Sequence, residues 1–391
     1  MKISAVITEY NPFHNGHKHQ LSEIRKNGSD YIIAIMSGDF TQRGEPAICD
    51  KYTRTRMALE NGADLVIELP VIYATADAGH FAGGAVSIIN NLGVVDELAF
   101  GVETGCEELC FSIADFLLNP PSEYSKQLQA AVKEGISYPV ARQKALSDHF
   151  SSSDLDKLSG SNMILAVEYI KALMKIDSSI KPVPYKRIGS AYNDILLNES
   201  GMSSASAIRE SLRSDHTPET LKGNMPQSTV NLLSSANIMF SNDFSSFLHY
   251  KLITAVDYHN IWDITEGMND RIKGHLNEFI SFNSYTDIIK TKNITRASVS
   301  RILTHIMLGL EITPFDDPTY ARILGFRKES DSLLGMIKNN SKIPMISKLA
   351  DADIDNLLLS DIQAANIYNA AVTQKYQTTT KNEYNNGIVI V

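Results

Sequence analysis

The sequence predicts an α/β fold: a Rossmann-like parallel-sheet domain over residues 1–215, followed by a mainly α-helical carboxyl-terminal domain over 216–391. Three observations carry this. Apolar, β-branched runs alternate with helical patterns through the first half, which implies parallel strands joined by right-handed crossovers. Beyond about residue 215 the strand signals fade, and helix-like amphipathic segments dominate to about residue 376. A chain of 391 residues that is 43% hydrophobic and 21% charged is long enough for two domains and can bury a large core.

The elements follow in order. KISAVITEY is the first strand, HNGHKHQLSEIRKN the first helix and DYIIAIMSG the second strand. KYTRTRMALENG is a helix that Gly62 is placed to end. DLVIELP is a third strand stopped by Pro70, ATADAGHFAGGAVSIINNLG a small-residue helix and VDELAFGVE a fourth strand. Residues 119–160, punctuated by NPPSE and SSSD, are polar and mostly helical and read as an excursion from the sheet. SNMILAVEYIKALMKI is a helix with Ile164, Leu165, Val167, Ile170 and Leu173 on its apolar positions. KPVPYKRIGS is a fifth, proline-edged strand, and SSASAIRESLR opens a helix rich in hydroxyl caps. TTTKNEYNNGIVIV reads as a turn plus a short terminal strand.

Composition narrows the setting. The first apolar run, ISAVI, is too short for a signal-peptide core, and no later run approaches a membrane span. Cys49, Cys106 and Cys110 are an odd number without a second Cys/His pair at metal-ligand spacing, so a reduced, cytoplasmic setting is expected. The net charge of -9 argues against a protein coated in nucleic acid, although binding needs only a local basic surface. Residues 290–348 supply one, with ten Lys and Arg against five Asp and Glu. That surface either is simply solvated or tracks phosphates, with Tyr320 and Phe326 beside Arg322 and Arg327 as stacking groups or core aromatics.

The densest chemical signal is EYNPFHNGHKH, in which His14, His17 and His19 fall within six positions at the first strand-to-helix turn. Exposed N–H groups and the helix dipole favour an anion there. His14 and His17 share a face of the first helical turn, and Gly16 leaves space for a phosphate or purine to approach. A helix-capping histidine beside a surface one, or half of a metal site, is the alternative. His19 is expected at the ordinary surface, as is Lys18.

HNGH after a first strand resembles the H-x-G-H signature of the nucleotidylyltransferase superfamily. A second signature of that superfamily, often S-[ST]-x-x-R at a helix start, is matched in looser form by SASAIR, with Ser204, Ser206 and Arg209. EYNPFHNGH, MSGDFTQRGEPAICDKYTR, GADLVIELP, LAFGVETG, SNMILAVEYIKAL, YKRIG and YARILGF together resemble the bacterial tRNA(Met) cytidine acetate ligase family over nearly the whole chain. The resemblance implies a nucleotidylyltransferase domain that activates acetate with ATP as acetyl-adenylate. It further implies acetylation of the wobble cytidine of elongator tRNA(Met), with the helical domain binding the tRNA. Its expected partners are acetate and tRNA(Met), with neither DNA nor membrane; magnesium would arrive with the ATP, and no dedicated metal ligands are expected.

The resemblance assigns catalysis to His14, His17, Asp39 and Arg209. It places the nucleotide against Ile7, Thr8, Glu9, Asn11, Pro12, Phe13, Gly16, Gly101, Asn162, Arg187, Ile188, Ser204 and Ser206, together with the two histidines. Asp39 would orient the amine or the acetate, with a turn or N-cap aspartate as its other reading; Asn162 is either an N-cap or a nucleotide contact, and Arg187 either reaches a phosphate or is a strand-edge charge. Gln42, Arg43 and Glu45 point to the substrate side. The competing function is an adenylyltransferase acting on a small phosphorylated metabolite; a tRNA-binding protein with a degenerate site is disfavoured by intact HNGH and SASAIR.

Overall fold

The computed structural model describes residues 1–103, 106–157, 160–187, 197, 201–214, 216–311 and 317–391. Strands β1 (Ile3–Thr8), β2 (Tyr31–Ser37), β3 (Leu65–Leu69), β4 (Glu97–Val102) and β5 (Lys181–Lys186) lie parallel in the order β5-β4-β1-β2-β3. The apolar runs of β1 to β4 are buried on both faces, as a sheet covered by helices requires. The proline-containing β5 lies at the sheet edge, where a missing N–H is tolerated. Strand order reverses at β1, which leads to β2 on one side and neighbours β4 on the other. The crevice for a ligand therefore opens beyond the carboxyl ends of β1 and β4.

Helices α1 (Asn15–Lys26), α2 (Lys51–Glu60), α3 (Ala78–Leu92) and α4 (Ser161–Lys175) provide the crossovers. Asn61 caps α2, and Gly62 follows with φ +119°, a value that favours glycine. The polar excursion forms the short helices Ser122–Lys133, Tyr138–Leu146 and Ser152–Lys157. Helix α5 (Ala205–Arg213) carries SASAIR back toward β1.

The second half is mainly helical and ends in the expected short strand, but it also adds strands that were not expected. YARILGF forms β6 (Ala321–Phe326), antiparallel to β3, and the two-residue strands β7 (Met345–Ile346) and β8 (Val389–Ile390) each pair with β6. Among the described residues one eight-stranded sheet thus takes strands from both sides of residue 215, while the helices between, including α6 (Arg296–Leu308), pack around a core of their own with α7 (Asn356–Tyr376). Arg322 sits inside β6 because its charge is matched: its Nη1 is 3.2 Å from Glu68 Oε2, its register partner on β3, and Nη2 bonds Glu383 on the tail. Lys51 Nζ completes the cluster, 2.8 Å from both Glu68 Oε1 and Glu383 Oε2. Tyr320 is buried on Asp361 and Phe326 packs against the core, so neither is a stacking platform.

One buried guanidinium fixes the edge on which the ligand crevice lies. Arg54 on α2 is fully buried and donates to the carbonyls of Glu9 (2.7 Å), Ser37 (3.0 Å), Gly38 and Cys49 (3.1 Å). The loops leaving β1 and β2 are thereby tied to one planar fork. Arg54→Lys, whose ammonium cannot span four acceptors, is expected to lower stability by about 3 kcal/mol, read from the urea midpoint.

Candidate functional site

His14 is the N-cap of α1, and its Nδ1 accepts the Gly16 N–H at 3.1 Å. The His17 Nδ1 in turn accepts the His14 N–H at 3.3 Å. This is a capping box built from two imidazoles. The rings stack with centroids 3.7 Å apart, inclined by 27°. A Cβ on Gly16 would stand 2.9 Å from His14 Cε1, so the glycine exists to let that ring fold back. With both Nδ1 atoms accepting, each neutral ring carries its proton on Nε2.

The electrostatics keep them neutral. Burial, reinforced by Arg187 and Arg209, pushes His14 down to about 3. Burial, then His14 and Arg187, holds His17 well below its usual value. The pair therefore offers uncharged N–H donors in a cationic surround, a setting that welcomes a polyanion without an imidazolium being present beforehand.

The preceding loop is a rigid cradle. Tyr10, at φ +46°, and Phe13 are buried, with ring centroids 4.9 Å and 5.5 Å from that of His17. Pro12 follows a cis peptide bond, and Asn11 Oδ1 accepts the Ile48 N–H at 2.7 Å. Ile7 and Thr8 end β1, and Glu9 Oε1 accepts the Gln42 N–H at 2.9 Å.

The downstream signature meets this loop. Ser204 caps α5 by accepting the Ala207 N–H at 3.0 Å. Arg209 donates to the Asn11 carbonyl at 2.7 Å and reaches Ser206 Oγ at 3.4 Å. On the far wall a Cβ on Gly101 would stand 2.9 Å from Arg187 Cγ, so glycine there makes room for the arginine stem. His14, Gly16, His17, Gly101, Arg187 and Ser204 line one pocket open to solvent.

Other expected residues lie elsewhere. Asp39 is buried outside that pocket, accepting the Lys51 N–H at 2.9 Å; burial pushes its carboxyl up to about 7, with Glu383 and Glu68 adding while Lys51 and Arg54 oppose. Asn162 is not an N-cap, because Gly160 holds that position; it stands in the first turn of α4, beside the end of β4. Ile188 lies outside the described residues. His19, expected at the ordinary surface, lines the pocket with Gln20 and Glu23, because a helix that brings His14 and His17 inward also turns the following residues toward the same mouth. Tyr185, Lys186, Met202 and Ser203 complete the lining and were not legible as site residues. Asn15, apparently a spacer, donates through Nδ2 to the carbonyls of Gly201 (3.0 Å) and Gly223 (2.9 Å) and so ties the two signatures together.

Among the described residues, no group of three or more His, Cys, Asp or Glu could hold a metal ion, and no helix is long and apolar enough to cross a membrane.

A pH dependence follows from the histidines. Between the ordinary value of 6.5 and about 3, the unfolded chain binds a proton at position 14 that the folded chain refuses. Stability is complete above 6.5 and falls as pH drops through that window. Urea midpoints measured from pH 6.5 to 4 should decline, and His14→Gln should flatten the decline by about 1.4 kcal/mol per pH unit.

Comparison with known proteins joins this geometry to a family. The family model described as HIGH Nucleotidyl Transferase matches residues 1–384. The tRNA(Met) cytidine acetate ligase of Clostridium perfringens is 38% identical over 382 residues, covering 94% of this chain and 95% of that protein. Its counterpart in Acetivibrio thermocellus is 40% identical over 370 residues, covering 90% of this chain and 89% of that protein. The crystal structure of apo Thermotoga maritima TmcAL matches with a TM-score of 0.92 at 31% identity, over 100% of both chains. The same protein bound with alpha-thio ATP gives 0.90 at 31% identity, also over 100% of both chains. The chain belongs to the tRNA(Met) cytidine acetate ligase family of HIGH nucleotidyl transferases.

Proposed function

We propose that this protein is an ATP-dependent ligase that activates acetate as acetyl-adenylate and acetylates the wobble cytidine of elongator tRNA(Met), leaving N4-acetylcytidine. The carrying observation is the pair of stacked, neutral imidazoles whose loop is tied to the Ser204–Arg209 helix start.

Acetate is already ionised at neutral pH, so its attack on the α-phosphorus needs no general base. It needs alignment and stabilisation of the charge that builds on the phosphoryl oxygens and on departing pyrophosphate. His14 and His17 donate to those oxygens through Nε2, while Arg209 and Arg187 supply fixed positive charge. Ser204, Ser206 and the first N–H groups of α5 receive the phosphate chain from the opposite side. The adenosine lies toward Gly101 and Asn162, with Arg187 packed over Gly101. Magnesium would arrive with the ATP phosphates, and the described side chains do not form a cage for it. In the second half-reaction the cytidine N4 attacks the acyl carbon, a C–N bond forms, AMP leaves with the electrons of the broken C–O bond, and one N4 proton is released to solvent.

The part beyond residue 215 supplies the tRNA surface in this reading. Lys290, Lys292, Lys338, Lys342 and Lys348 are exposed and suit phosphate tracking. Arg322 drops out of that set because it is buried in the sheet.

Purified protein incubated with ATP, acetate and tRNA should yield acetylcytidine by nucleoside mass analysis, with pyrophosphate release dependent on acetate. Release dependent on a phosphorylated metabolite instead would replace the ligase with an adenylyltransferase. His17→Ala should lower the adenylation rate by about 10²- to 10³-fold, the usual effect of removing one preorganised donor. Asn15→Ala should cost on the order of 10²-fold in kcat/KM for ATP by letting the two signatures drift apart, with secondary structure by circular dichroism unchanged.

A further inference from the structure

The turn that follows β2 belongs to the carboxyl edge of the sheet by sequence and to the helical core by contact. Phe40 and Pro46 bridge in antiparallel fashion, the Asp39 carbonyl accepts the Ala47 N–H at 2.9 Å, and the Gly44 N–H closes on the Thr41 carbonyl at 2.9 Å. Gln42 and Arg43 are therefore the two corner residues of a tight turn, and Gly44 follows at φ +67°. Phe40, at the base of the turn, is buried in the helical core. Its ring centroid lies 5.6 Å from that of Phe244 and 6.2 Å from that of Tyr368.

The carbonyls of the turn are held from the same direction. That of Gly44 accepts from Ser300 Oγ (2.7 Å) and Thr304 Oγ1 (2.8 Å) of α6, which occupies both of its lone pairs. That of Ala47 accepts from Tyr368 Oη of α7 at 2.9 Å. A buried Ser or Thr inside a helix has its own acceptor at hand, the carbonyl one turn back. Ser300 and Thr304, one turn apart and both buried, spend their hydroxyls on another element instead. Backbone also meets backbone here, since a Cβ on Gly44 would stand 2.3 Å from Arg301 N. Turn and helix form one unit.

On its other side the turn is fastened to the sheet edge. The Gln42 N–H donates to Glu9 Oε1 at 2.9 Å, at the end of β1, and Gln42 Nε2 donates to the Ala76 carbonyl at 3.2 Å, beyond β3. Yet no residue of the turn lines the histidine pocket, whose walls come from α1, the ends of β4 and β5 and the approach to α5. In the ligase reading the nucleotide takes the β5-β4-β1 half of the edge. The turn spans the other half, from the end of β1 past β2 to the segment after β3. That half is left for the acceptor that takes the acyl group.

We propose that Ser300 and Thr304 are positioning residues for the acyl-transfer step: by fixing the Gly44 carbonyl they hold the Gln42–Arg43 corner where RNA carried by the helical part meets the acyl-adenylate. This rests on the acyl-transfer reading above. Gln42 braces the corner through its two bonds, and Arg43 brings to it a guanidinium, a group suited to an RNA phosphate.

The two half-reactions separate a positioning role from a merely structural one. Acetate-dependent exchange of labelled pyrophosphate into ATP reads adenylation alone, whereas acetylcytidine formed on tRNA(Met) reads both steps. Thr304→Val keeps the volume and removes the donor; combined with Ser300→Ala it strips the Gly44 carbonyl of both partners. The double variant should lose about 10²-fold in kcat/KM for tRNA, the scale of a misplacement of about 1 Å, with pyrophosphate exchange as in the wild type. Thr304→Ser keeps the hydroxyl and should transfer like the wild type. Thermal stabilisation by ATP verifies the fold of each variant. If the double variant misfolds, either single substitution leaves one hydroxyl on the carbonyl and should show the same split at smaller amplitude. Equal losses in exchange and transfer, or variants lacking the hydroxyls that transfer like the wild type, overturn the inference and leave the ligase reading standing. Wild-type protein that forms no acetylcytidine overturns the acyl-transfer reading itself.

Discussion

The four carbonyls gathered on Arg54 set the geometry of everything at the carboxyl edge of the sheet. A strand that ends at a ligand site leaves its last carbonyls without ladder partners, and water would ordinarily satisfy them. Here a single planar fork does so from beneath, bonding residues that leave β1 and β2 together with the loop that enters α2. Glu9, Gly38 and Cys49 cannot move independently, so the histidine loop and the Gln42–Arg43 loop share one frame. The Lys51–Glu68–Arg322–Glu383 cluster extends that frame across β3 to β6 and the tail.

On this frame the histidine pair works by suppressing charge rather than providing it. Two protonated rings 3.7 Å apart would repel strongly, and burial forbids the state in any case. What remains is a pair of oriented dipoles whose acceptor nitrogens are already occupied by the backbone. In the proposed adenylation their interaction with a phosphoryl group grows as negative charge accumulates there, whereas the arginines attract the substrate throughout. Division of labour between neutral donors and fixed cations separates binding from acceleration.

Much of this was visible in the sequence where the pattern is local. Five strands announced themselves as apolar runs between helical segments, and HNGH and SASAIR were identifiable as a pair. Most of the failures share one cause: their partners are remote. Arg322 was read with the basic surface and Tyr320 was left between stacking group and core aromatic, because Glu68, Glu383 and Asp361, which neutralise or bond them, lie far away in the chain. Strands of two residues, such as β7, carry no periodicity at all. Asn15 passed for filler because nothing near it hints at Gly201 or Gly223. His19 was discounted for lying outside a motif, although the helix that positions the motif carries it into the same pocket mouth.

The Asn15 tie has a consequence for how the molecule comes into being. Its two bonds join residues separated by 186 and 208 positions, so closing them means bringing together the ends of very long loops. Contacts of such span reward the chain only after the intervening strands are placed, and they form late in folding. The signature at residue 14 is thus among the first motifs in the sequence and among the last to acquire its working shape. A fragment ending before Gly201 would keep every letter of HNGH and lack the clamp.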